Sequence, residues 1–238
     1  MHVCFFDIDG TLVLTGGAGQ TAFAQTLAAE FGIPEIDTRV AFAGRSDRAI
    51  AMDLFRSHGV EPSAENWRRF CTGYLDRLTT TLATHQGHVL PGVIECLAAI
   101  AHRKDVAIGL LTGNIREGAR RKLGHYGIWD RFAFGGFGDE HVERCDIAAA
   151  ALAAAKTHLN GHAHGSLPGR VLVIGDTPHD IECGRSIDAL CVAVPTGHTP
   201  IQSLRDCKPD LLVETLEDSE PILALLDKTP SPLGRRMG

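Results

Sequence analysis

The chain contains no run of about 18 or more apolar residues, so nothing in it is long and apolar enough to read as a membrane-spanning helix. It lacks a basic segment ahead of its first apolar stretch. Met1-His2-Val3-Cys4-Phe5-Phe6 runs straight into Asp7, which argues against a secretory leader and predicts a cytoplasmic protein with no membrane partner. Its seven cysteines (Cys4, Cys71, Cys96, Cys145, Cys183, Cys191 and Cys207) include no CxxC pair. An odd number at wide spacing reads as reduced thiols, not as a disulfide framework or a zinc site. Positive charge is not in excess: 23 Lys and Arg stand against 29 Asp and Glu, a formal net charge of -6. That balance argues against a nucleic-acid partner held by phosphate neutralisation, although a local cluster of cations or a metal still allows a small anionic substrate. The glycine-rich Gly16-Gly17-Ala18-Gly19-Gln20-Thr21 lacks the lysine and the spacing of a nucleotide-binding P-loop. Lysine is also missing from the whole stretch between residues 123 and 155.

What is present is an ordinary globular composition, 44% hydrophobic and 22% charged over 238 residues. Short apolar runs at Val3–Phe6, Val106–Leu111, Val171–Ile174 and Ala189–Val194 each end in turn residues. They read as strands buried on both faces, as in a parallel sheet covered by helices. Helical stretches alternate with them at 92–102, 116–126, 145–158 and 180–186. The pattern predicts an α/β fold: a Rossmann-like, doubly wound parallel sheet. From about Thr15 to Gly87 the chain changes character. Stretches 21–31, 47–58 and 66–85 place apolar residues three and four apart, and no strand is evident. This predicts an inserted all-helical subdomain over 15–87, with the core formed by 1–14 and 88–238. Gly16–Gly19 and Gln86-Gly87-His88 at the junctions read equally as hinges or as plain turns. His158, His162 and His164, with Gly161 and Gly165 between and beside them, read as a polar surface loop. Residues 228–238 read as a frayed, Pro-rich basic tail.

Three strand ends carry polar residues. Asp7-Ile8-Asp9-Gly10-Thr11 follows the first strand, and residues i and i+2 of an extended chain project to one side. Asp7 and Asp9 therefore approach one point at the sheet's carboxyl edge, where open α/β sheets bind ligands. Two carboxylates there repel unless a cation separates them, and oxygen ligands suit Mg²⁺. Gly175-Asp176-Thr177-Pro178-His179-Asp180 brings further acids to the same edge, with Asp180 read as a helix cap, an outer-shell acid, or both. Thr112-Gly113-Asn114 offers a hydroxyl and free amides at a helix start, which reads as an anion site or as a cap with Asn114 leading the helix.

With these three strand ends on one edge, the sequence resembles the haloacid dehalogenase-like hydrolases. The family's first motif, DxDGT, matches Asp7, Asp9, Gly10 and Thr11. Its second matches Thr112, and its fourth, GDxxxD, matches Gly175, Asp176 and Asp180. The helical insertion between the first and second motifs is similar to the cap of the phosphoglycolate phosphatase-like branch. The resemblance implies a Mg²⁺-dependent phosphatase acting on a small phosphorylated metabolite such as phosphoglycolate. Asp7 is then the nucleophile that becomes an aspartyl-phosphate, and Asp9 is the general acid and base. Mg²⁺ is held by Asp7, the Asp9 backbone carbonyl and Asp176, with Asp180 outside that shell. Thr112, Gly113 and Asn114 bind the phosphoryl group. The family's third motif normally supplies a lysine, and its place falls in the lysine-free stretch. Arg144 and Lys156 are the candidates, and Arg144 is favoured because a helix start faces the strand ends. Arg45, in Gly44-Arg45-Ser46-Asp47, reads either as a contact to a second anionic group of the substrate or as a solvated residue beside a helix cap. A phosphomutase of the same superfamily, for which His58 and Arg45 are the hints, and a metabolite-binding or interaction protein without turnover are the alternatives. Either a monomer or a homodimer is compatible with the surface charge.

Overall fold

The computed structural model describes residues 1–160 and 168–227. The chain opens with β1 (His2–Phe6) and β2 (Val13–Leu14), followed by α1 (Ala18–Phe31), α2 (Asp47–Ser57) and α3 (Ala64–Thr84). It returns through β3 (His88–Val89) to α4 (Val93–Ala101), β4 (Val106–Leu111), α5 (Arg116–His125) and β5 (Phe134–Gly136). The remainder is α6 (Arg144–Asn160), β6 (Val171–Gly175), α7 (Pro178–Ser186), β7 (Leu190–Ala193), α8 (Ile201–Asp206), β8 (Leu211–Leu212) and α9 (Glu220–Asp227).

Six strands form one parallel sheet in the order β5-β4-β1-β6-β7-β8. The central strands are buried along nearly their whole length, which is why they read as continuous apolar runs without alternation. Alternate residues nevertheless go to different layers. Cys4, Phe6, Ile108, Leu110, Leu172 and Ile174 pack with α4 and α9 on one face. Val3, Phe5, Ala107, Leu111 and Val173 pack on the other, against Ile147, Ala148, Ala151 and Ala155 of α6. The alanine run of α6 serves this second layer. Small side chains let the helix lie close to β5, so close that a side chain at Gly136 would meet Ala151.

β1 is the strand at which the winding reverses, with β4 and β5 to one side and β6, β7 and β8 to the other. The strand ends of β1, β4 and β6 therefore meet at the crevice where such sheets bind ligands. β2 and β3 pair antiparallel, Val13 with Val89 and Leu14 with His88, so the chain leaves and re-enters the sheet region side by side. Everything between them is helix and loop. It has its own apolar cluster, built from Phe23, Leu27, Leu54, Phe55, Phe70, Tyr74 and Leu78 among others.

Several elements differ from the sequence expectation. β5 is a strand although it reads Phe-Gly-Gly, because its partner Gly109 leaves room for the Phe134 ring. β2, β3 and β8 are two residues each, too short to show a period. α6 continues to Asn160, two residues past the expected end at His158, so His158 belongs to the helix and not to the loop with His162 and His164, and its ring lies 4.9 Å from that of Phe134. His162, His164 and the tail from 228 lie outside the described residues.

Candidate active site

Asp7 is the first residue beyond β1, and its amide donates to the Ile174 carbonyl of β6. That bond continues the ladder one step and aims the side chain past the sheet edge. Asp9 lies two residues on. Between and after them the chain turns back through Gly10, at φ 88, a conformation that strains any residue with a Cβ. A side chain at Gly10 would also strike the Asp176 carboxylate. Asp176 follows β6 directly and accepts a hydrogen bond from the Thr11 hydroxyl at 3.2 Å.

Carboxylate oxygens of Asp7, Asp176 and Asp180 all lie within 4.8 Å of one another. All three residues are buried. Burial first, and then mutual repulsion, pushes the carboxyls of Asp7 and Asp176 well above the usual carboxylate range. An acidic cluster of this kind, with oxygen donors alone, fits a hard divalent cation such as Mg²⁺. Asp180 is already committed. One oxygen takes the Arg144 guanidinium, and the other takes the Thr177 amide at 3.0 Å and hydroxyl at 2.6 Å. With Pro178 at the first helical position, Thr177 and Asp180 form a capping box for α7. Asp180 thus caps a helix and faces the cluster at once, leaving Asp7 and Asp176 with the freer carboxylates.

Arg144 is the first residue of α6 and is buried at the cluster. Its guanidinium reaches Asp7 at 3.3 Å and also holds Asp180. A planar fork suits this bridging of two carboxylates. Lys156 lies twelve residues further along the same helix, towards its opposite end.

Thr112 follows β4 and is fully buried. Its hydroxyl accepts from the Asn114 side-chain amide at 2.8 Å, and the same amide donates to Asp9 at 2.8 Å. Asn114 does not cap α5. The amide of Ile115 is instead taken by Asp47 of α2, at 2.9 Å. Burial pushes the Asp47 carboxyl up to about 6, against the opposing pull of the Lys122 charge. Gly113 gives its carbonyl to the Asp47 amide at 2.8 Å, and a side chain there would strike the Arg45 backbone. Ser46 caps α2 and donates to the Val142 carbonyl at 2.7 Å, while Arg48 donates to that of Asp139 at 2.9 Å. The start of α2 is therefore seated directly on the loops after β4 and β5.

Lys122, on α5, is the residue that sequence reasoning missed. It is buried, and its ammonium lies 2.6 Å from Asp9. Burial lowers its pKa, but the nearby charges of Asp9 and Asp47 outweigh that and hold it above the usual lysine value. Arg45 lies within the same cavity wall, but its guanidinium is paired with Asp53 at 2.6 Å. The cavity itself measures about 360 Å³. Asp7, Asp9, Asn114, Arg144 and Asp176 line one end, and Phe23, Phe42, Ile50 and Tyr74 of the helical insertion line another part.

A family model described as haloacid dehalogenase-like hydrolase matches residues 4–194. The chain belongs to this family. The match runs from β1 through the residue after β7 and so includes every strand end named above. The chain is 29% identical over 222 residues to a phosphoglycolate phosphatase of Synechococcus elongatus, covering 92% of this chain and 95% of that protein. It is 27% identical over 219 residues to the pyrophosphatase PpaX of Listeria innocua, covering 90% and 92%. In fold it is similar to a β-phosphoglucomutase from Clostridium difficile, with a TM-score of 0.71 at 19% identity over 95% of this chain and 97% of that one. This haloacid dehalogenase-like hydrolase thus keeps the family's α/β core, with Arg144 beside Asp7 where the family resemblance leads one to expect lysine.

Proposed function

We propose that this chain is a Mg²⁺-dependent phosphatase that hydrolyses small phosphomonoesters through an aspartyl-phosphate on Asp7. The observation that carries this reading is the unequal setting of two carboxylates two residues apart. Asp7 sits in the buried acidic cluster beside Arg144. Asp9 turns out of that cluster into the cavity, held by Lys122 and Asn114. One carboxylate is thus placed to meet phosphorus and the other to meet the ester oxygen.

In the first step an Asp7 oxygen attacks phosphorus and the bond to the ester oxygen breaks. The Asp9 carboxyl gives its proton to that leaving oxygen. In the second step a water attacks the phosphorylated Asp7, and the Asp9 carboxylate takes the water's proton. Inorganic phosphate leaves, and Asp7 is restored. Arg144 keeps Asp7 oriented and offsets negative charge as phosphate approaches. The Thr112 hydroxyl and the amides of Gly113 and Asn114 bind phosphoryl oxygens. Mg²⁺ held by Asp7, Asp176 and the Asp9 carbonyl would neutralise charge between nucleophile and phosphate. The helices of residues 15–87 act as a cap that excludes bulk water and contacts the leaving group. Relatives named as phosphatases, one of phosphoglycolate and one of N-acetylmuramic acid 6-phosphate, support a small phosphorylated metabolite as the substrate.

The mutase alternative gains no support from its two hints. His58 does not line the cavity, and its Nε2 accepts from the Asp37 amide at 3.2 Å. Arg45 is spent on Asp53. Phosphate release from small esters, measured with Mg²⁺, with chelator and with Asp7→Asn, tests the proposal. Release should require metal and fall by at least about four orders of magnitude in the variant. Release that survives either change, or isomerised product without free phosphate, would refute it.

A further inference from the structure

Resting on that reading, we infer that the leaving group is an uncharged alcohol with an apolar body, and not a hydroxy acid or a second phosphate. The cavity's charges carry the inference. Among the described residues, every lysine and arginine that lines it already holds a carboxylate. Arg144 is on Asp7 and Asp180, Lys122 is on Asp9 at 2.6 Å, and Arg45 is on Asp53 at 2.6 Å. Two histidines, His88 and His198, also line the cavity, and both are exposed to solvent. Asp47 adds a further buried carboxylate to the wall. A carboxylate or phosphate on the leaving group would lose water here and find no unpaired lysine or arginine, on a wall that also carries the Asp9 and Asp47 carboxylates.

The helical wall offers something different. Phe23 and Phe42 pack with ring centroids 5.4 Å apart, Phe23 and Tyr74 at 4.7 Å, and Ile50 stands beside them. These faces gain from covering an apolar group. Tyr74 is fully buried and its hydroxyl has no hydrogen-bond partner among the described residues. It supplies one neutral hydrogen bond to a polar atom of the leaving group, which also relieves its own isolation. At about 360 Å³ the cavity has room for a body larger than glycolate.

The test is kcat/KM for benzyl phosphate, phosphoglycolate, pyrophosphate, phosphocholine and p-nitrophenyl phosphate, using the full chain with Mg²⁺. Benzyl phosphate should exceed phosphoglycolate and pyrophosphate by at least about 100-fold. Phe42→Lys, which adds a cation to the wall, should narrow the gap to phosphoglycolate by about tenfold or more. Phosphoglycolate or pyrophosphate matching benzyl phosphate, or phosphocholine surpassing it, would overturn the inference and leave the phosphatase reading intact. No release from any ester, p-nitrophenyl phosphate included, would remove both.

Discussion

Arg144→Met is the substitution that most directly probes the buried cluster. The guanidinium and the two carboxylates it holds are each less than a tenth exposed. At 3.3 Å and an effective dielectric near 20, the attraction to Asp7 alone is about 5 kcal/mol before desolvation is counted. Desolvation offsets much of that. What the variant exposes is the residue left behind, and removing one partner of a buried pair costs about 3–5 kcal/mol. For a chain of this length each kcal/mol moves Tm by roughly 2–4 °C, so Tm should fall by about 6–20 °C. Thermal unfolding in chelator at pH 8 measures it.

The pH dependence has a definite sign. Asp7 and Asp176 have folded pKa values raised above those of the unfolded chain. Their contribution to stability is therefore least unfavourable at low pH and worsens as pH rises through the raised values. Losing Arg144, whose charge pulls the Asp7 carboxyl down, raises Asp7 further. The Tm gap between variant and wild type should thus be wide at pH 8 and narrow towards pH 5, where protons neutralise the orphaned carboxylates. Arg144→Lys, which keeps the charge and loses the fork, should recover more Tm than kcat. A gap under about 2 °C at pH 8, or one independent of pH, would refute the assignment of Arg144 as the cluster's counter-ion.

Two further outcomes follow from the same geometry. Mg²⁺ added to chelated wild type should raise Tm, by about 2.7 kcal/mol equivalent at a hundred times its Kd, and the rise measured by scanning fluorimetry should shrink from pH 8 to pH 5.5 as protons compete for Asp7 and Asp176. Lys122→Met should lower kcat about 10- to 100-fold with KM little changed, because Asp9 loses its anchor. Since the Asp9 side chain is 42% exposed, the cost in stability should be only about 1–2 kcal/mol, and an unchanged kcat would show that Asp9 needs no such anchor.

The central strands and most helices were legible because the physics that makes them is local. β1, β4 and β6 are apolar on both faces, and α4 and α7 start at Gly92 and at Thr177-Pro178, residues that punctuate a helix. β5 was not, since its strand character comes from the space that Gly109 leaves for Phe134 across the sheet. The strand-end acids were legible for a related reason. Asp7, Asp9 and Asp176 each adjoin an apolar run, and a doubly wound topology brings such ends together without further information.

Lys122 shows where that logic stops. Its contact with Asp9 spans 113 positions and joins the middle of a helix to a turn. In the sequence it closes the basic triplet Arg120-Arg121-Lys122, with nothing local to set it apart from its two neighbours. Yet it shares the buried stripe of α5 with Ala119 and Leu123, a place where an unpaired lysine could not stay. A cation on the apolar side of a helix whose first turn borders the candidate site demands a carboxylate within reach, and Asp9 and Asp47 supply it. Asp47 in turn holds the first amide of α5 from a helix of the insertion. The loop of Asp9, α5 and the insertion are therefore tied through a single buried charge. The missed residue is thus one whose meaning exists only once the helical insertion has been laid over the sheet edge.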